Sequence, residues 1–211
     1  MIGVDGALTM KKNSKIGHFN LINTKSIQIG EGGYIGNFNS LKGPFEIVLA
    51  EKAAIGDGNK CYRAPLGVSY GGSILKLGTL SKITANHRVD CTRSILIGDY
   101  TTIAGNDSQL WTHAYYHDKT GPGRFRLDGV IEIGNNTYIG SKCVLNCGIT
   151  IANNVVVGSN SCISKSLLNP GTYVSQPLRY IEQPLGEDFR VKFVKVEGFK
   201  ICEEVYERKK D

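Results

Sequence analysis

The chain carries four histidines, His18, His87, His113 and His117. Imidazole exchanges a proton near neutral pH, so a histidine fixed at the edge of a groove can take the proton of a hydroxyl as that hydroxyl attacks a carbonyl carbon. Two of the four lie in "SQLWTHAYYHD", Ser108 to Asp118. His113 follows Thr112 at the point where a regular segment runs into a long polar and aromatic stretch, so its backbone is held while its ring can face an opening. His87 stands in "NHRVDC" with Asp90 three residues on. A carboxylate that orients the second ring nitrogen completes such a base, and Asp90 and Asp118 are the candidates. His113, His87, Asp90 and His117 form the candidate catalytic set. His18 reads as a surface or hydrogen-bonded structural residue, and Trp111 as packing. Arg124 and Arg126 could grip a phosphorylated acceptor but read as solvated loop charges.

Cys143 and Cys147 could begin a zinc site, yet no paired Cys or His cluster follows at ligand spacing, and no metal is expected. The six cysteines read as reduced, core-filling thiols.

What positions these residues is a repeat. From Ile131 to Lys165, "IEIGNNTYIGSKCVLNCGITIANNVVVGSNSCISK", an aliphatic residue returns every six positions: Ile133, Ile139, Leu145, Ile151, Val157 and Ile163. The same step runs with breaks through most of residues 16–168. Six is a whole number of strand alternations, so every member of the set falls on one face of an extended chain. Asn, Asp and Gly between them tolerate sharp bends. One such unit cannot bury its own apolar face, so coils must stack. Residues 62–76, "YRAPLGVSYGGSILK", and 114–129, "AYYHDKTGPGRFRLDG", interrupt the pattern as loops, and such excursions from a rigid solenoid are where function tends to sit. The end, "EDFRVKFVKVEGFKICEEVYERKKD", suggests one alternating strand and a short amphipathic helix. The expected organisation is a repeat domain over 1–183 with the protruding loop 114–129, and an extension over 184–211.

The net charge of +6 is scattered and does not form a nucleic-acid-binding stripe, but it suits a partner that carries phosphates. No apolar run approaches the ~20 residues of a membrane-spanning helix. The first residues, "MIGVDGALTMKKNSK", lack a secretory h-region, so a cytoplasmic location is expected.

The aliphatic-small-x-x-small-x pattern resembles that of the hexapeptide-repeat family. The resemblance implies an all-β, left-handed parallel β-helix of triangular section, about three hexapeptides per coil. "SQ..TH" (Ser108, Gln109, Thr112, His113) and "NHRVDC" resemble segments of the family's sugar O-acetyltransferases, which implies His113 as general base. From Gly134 to Arg179 the chain is similar to acetyl-CoA-dependent members. Carried over residue by residue, Ser141, Ser159 and Ser164 would meet the pantetheine arm and Lys165 and Arg179 the phosphates of acetyl-CoA, to which Lys and Arg are suited. Ser175-Gln176 departs from the small residues usual before Pro177. The acceptor implied is a sugar, a surface-polysaccharide precursor or a nucleotide sugar, and the assembly a homotrimer. N-acylation of a nucleotide-linked amino sugar is the nearest alternative. A zinc carbonic-anhydrase-like protein and a non-catalytic scaffold are more distant ones.

Overall fold

The computed structural model describes residues 2–117, 119, 121–175, 179–181, 193–196 and 205–208. The six-residue step is realised as short parallel strands on three walls of a prism. On one wall Ile35, Ile55, Ile83, Ile103, Ile139 and Val157 stack inward, each fully buried. A second wall stacks Leu41, Cys61, Val89, Leu110, Leu145 and Ile163, and the third Ile47, Leu75, Ile95 and Ile131, all fully buried as well. Neighbouring coils are joined by parallel ladders such as Ile35↔Ile55, Ile83↔Ile103 and Ile139↔Val157. The partners are 18 to 20 residues apart, which is three hexapeptides per coil. Two steps are longer: Ile55↔Ile83 takes in the loop 63–73, and Ile103↔Ile139 takes in the insertion 114–129. The fold is a left-handed parallel β-helix. Coils begin before the repeat is legible, since Ile2–Val4 pairs with Ile22–Thr24, and they continue to Gly171–Val174.

Among the described residues, twelve non-glycine corner residues have φ between 53° and 60°. Asn and Asp account for six of them, as the turn chemistry predicts, but Phe19, Phe38, Leu80 and Tyr100 occupy the same conformation. There the ladder hydrogen bonds on both sides of the corner outweigh a residue's own preference.

Both interruptions are more ordered or shorter than their sequences suggest. The early loop ends at Ser73, because Ile74–Leu77 is already a strand in register with Glu46–Leu49. The second is an antiparallel hairpin in which His113–His117 pairs with Arg124–Asp128. The chain divides into a unit over Met1–Ile181 and a second over Glu182–Asp211. Within the second, Phe193–Val196 pairs antiparallel with Val205–Arg208. Residues 205–208 of the expected helical stretch are thus a strand, where Val205 and Tyr206 favour the pleated conformation, and the rest of that stretch lies outside the described residues. Among the described residues no helix is long and apolar enough to cross a membrane.

Candidate active site at one corner of the helix

The corner between the second and third walls carries, coil by coil, Lys42–Pro44, Asp90–Arg93, Trp111–His113, Asn146–Gly148 and Ser164–Lys165. Here the hairpin leaves and re-enters the stack, so His113 is anchored at its base, opposite Asp128 in the pairing register. Asp90 lies one coil earlier with its side chain only 2% exposed. Its carboxylate accepts from five donors: the backbone N–H and hydroxyl of Thr92, the backbone N–H and hydroxyl of Thr112, and His113 Nδ1. The His113 contact, Nδ1 to Asp90 Oδ2, is 2.8 Å. An ionised carboxylate only accepts, so Nδ1 carries the proton and the lone pair is left on Nε2. The His113 side chain is 26% exposed. Trp111 and Tyr115 stand edge-to-face on the ring at 6.2 and 5.8 Å between centroids. Together these contacts fix the imidazole in position, tautomer and plane.

His87 is brought elsewhere. Its ring is fully buried at the corner between the first and second walls. Ser108 N–H donates to Nδ1 at 3.1 Å, and Nε2 lies 3.0 Å from the Thr84 hydroxyl, which itself donates to the carbonyls of Ile103 and Gly105. Burial pushes this imidazole down to about 4, partly offset by Asp107. With no face open to a substrate, His87 is a rung of a buried polar ladder and not a member of the opening at His113. Asn39 N–H donates to Asn20 Oδ1, Asn59 N–H to Asn39 Oδ1, and His87 N–H to Asn59 Oδ1. His117 is exposed four residues further along the hairpin strand, which at the usual rise puts it roughly 13 Å from His113, beyond hydrogen-bond reach. Asp118 lies outside the described residues.

Thr92 and Thr112 complete the carboxylate's shell, and Thr92 was not legible as a site residue. Its hydroxyl also lies 3.3 Å from His113 Nδ1. Arg126 is neither a solvated charge nor open to a phosphate. Its guanidinium forks onto Asp128, with Nε to Oδ1 at 2.8 Å and Nη2 to Oδ2 at 3.0 Å. Burial pushes the thiols of Cys61 (to about 12), Cys91, Cys143 and Cys147 up, so none of the four is a ready thiolate.

The residues expected to hold a coenzyme fall on two corners. Ser164 and Lys165 are exposed on His113's corner, two coils on, about 10 Å at the usual strand spacing. Ser141 and Ser159 stack on each other's coils at the corner of His87, beside Gly105 and Gly140. Arg179 pairs with Val174 in an antiparallel strand, and its side chain lies outside the described residues.

The chain is 30% identical to the galactoside O-acetyltransferase of Escherichia coli (strain K12) over 139 residues, which cover 65% of this chain and 68% of that protein. It belongs to the hexapeptide-repeat sugar O-acetyltransferases. The fold agrees. The polysialic acid O-acetyltransferase OatWY superposes with a TM-score of 0.64 at 18% identity, over 86% of this chain and 87% of that one. A hexapeptide-repeat acetyltransferase of Vibrio cholerae solved with acetyl coenzyme A superposes with a TM-score of 0.51 at 22% identity, over 63% and 68% of the two chains. No family model matches the chain. A histidine whose inner nitrogen is locked to a buried carboxylate, with the lone pair on its outer nitrogen, is an arrangement suited to accepting a proton.

Proposed function

We propose that this sugar O-acetyltransferase moves an acetyl group from acetyl-CoA to a hydroxyl of a sugar or sugar-containing polymer, with His113 Nε2 as the general base. The acceptor oxygen attacks the thioester carbon while its proton passes to Nε2. The tetrahedral intermediate then collapses, the C–S bond breaks, and the imidazolium returns the proton to the departing sulfur. Asp90 keeps the ring in the reactive tautomer and faces the positive charge that forms on it. Direct transfer needs no acyl-enzyme, and no cysteine of the corner is activated for one.

The single observation that carries the reading is the 2.8 Å contact between buried Asp90 and half-buried His113. On the donor side, Ser164 and Lys165 follow His113 along its own corner, while Ser141 and Ser159 lie on another corner of the same prism. One coenzyme can meet both sets when the Ser141 corner of one protomer lies beside the His113 corner of the next. That supports a closed homotrimer with a coenzyme groove between subunits. Use of acetyl-CoA fits a cytoplasmic site of action.

The test is coenzyme A release from acetyl-CoA with the purified chain against galactosides, nucleotide sugars, amino sugars and polysialic acid. Release that depends on a hydroxyl-bearing sugar is the expected result. Release only with free amino sugars would move the chain to N-acylation, and none with any acceptor would remove the function.

A further inference from the structure

The loop 63–73 emerges from the catalytic corner at the coil just before Asp90: Tyr62 pairs with Asp90, and Cys91 N–H donates to Tyr62 O at 2.8 Å. Three arginines donate to its carbonyls or to the chain at its base. Arg63, 4% exposed, reaches Pro44 O at 2.7 Å, Tyr70 O at 2.8 Å and Gly71 O at 2.7 Å. Arg93 lies over the Tyr70 ring, 5.0 Å from its centroid. Arg126, from the hairpin two coils on, donates Nη1 to Val68 O at 2.8 Å. The last contact is an arch: loop and hairpin leave the prism on either side of the Asp90–Arg93 coil and meet above it.

Arg126 is fixed from below by its fork onto Asp128, whose side chain is 4% exposed and whose register partner is His113. Its own register partner is Tyr115, the residue edge-on to the His113 ring. The loop tip presents Leu66, Val68 and Tyr70, each more than half exposed. Ser164 and Lys165, the coenzyme candidates of this corner, lie on the other side of His113. The acceptor is therefore left the side on which the loop stands.

We propose that the loop 63–73 is the acceptor-side wall of the His113 cleft and that Arg126 is the positioning residue that holds it there. The proposal rests on the acetyl-transfer reading above. A hydrogen bond from a charged donor is stronger than a neutral one, so its loss favours local opening of a short loop.

The experiment compares wild type, Arg126→Ala and Arg126→Lys by hydrogen exchange and by kinetics, with the acceptor of highest turnover from the panel above. In Arg126→Ala, exchange of the loop amides 66–71 rises about tenfold or more while the stacked coils keep their protection. The KM for the acceptor rises about tenfold with the KM for acetyl-CoA unchanged. Arg126→Lys, which keeps a donor for Val68 O but loses the fork onto Asp128, falls between the two. Unchanged loop exchange would show that Arg126 does not hold the loop. Faster exchange with an unchanged acceptor KM would show that the loop is not a wall, and parallel rises in both KM values would show general damage. A wild type that releases no coenzyme A with any acceptor overturns the function, whereas the exchange result still decides the role of Arg126.

Discussion

Five donors converge on Asp90, so its loss is felt twice. Asp90→Asn places a donor where Thr112 and His113 both offer protons, which frees the imidazole to adopt the wrong tautomer. We expect kcat to fall about a hundredfold or more with little change in acetyl-CoA affinity, read from steady-state kinetics at saturating substrates. Equal loss of coenzyme affinity would mean that Asp90 holds the corner and not the ring. His87 makes a different prediction. Its folded state favours the neutral ring, with a value near 4 against 6.5 for the free side chain, so its contribution is fully present above pH 6.5 and is lost as pH falls toward 4. The whole effect is about 3 kcal/mol. In His87→Asn the ladder is kept by a residue that does not titrate, so the urea midpoint should fall less steeply between pH 6.5 and 4 than in wild type. Identical slopes would contradict the buried-rung reading. His87 was misleading in the sequence because "NHRVDC" sets it three residues before Asp90, which contacts His113. The corrective signal was in the repeat: Asn20, Asn39, Asn59 and His87 each stand four residues after the strand-ending isoleucine.

Among the elements, the coils were legible because a step of six leaves a trace in residue type at every turn. The hairpin was not, because its pairing depends on the rigid base that His113 and Asp128 share, which no local pattern encodes. Its alternation becomes meaningful only in register: His113, Tyr115, Arg126 and Asp128 share one face, while Tyr116 and Phe125 stack on the other at 5.3 Å. The start of the loop 63–73 is held in a similar way. Gly43 has φ of 123°, and a Cβ there would run into the Arg63 backbone. Gly43→Ala should destabilise by about 1–3 kcal/mol, seen as a melting temperature several degrees lower. An unchanged melting temperature would mean that the corner yields freely.

At the scale of the whole molecule, one prism divides its coenzyme candidates between two corners, and assembly of protomers corner to corner would bring them to one groove. Sedimentation should therefore give a species of three times the 23.0 kDa chain mass, with activity lost on dilution below the association range. A stable, fully active monomer would remove the shared groove while leaving the Asp90–His113 pair intact. We propose that the stacked coils hold one imidazole ready to deprotonate a sugar hydroxyl. Turnover of His113→Ala beside wild type, with coenzyme binding followed by thermal shift, tests it most directly. We expect kcat reduced by about 10²–10⁴ with the coenzyme-induced shift retained. Turnover equal to wild type would contradict it.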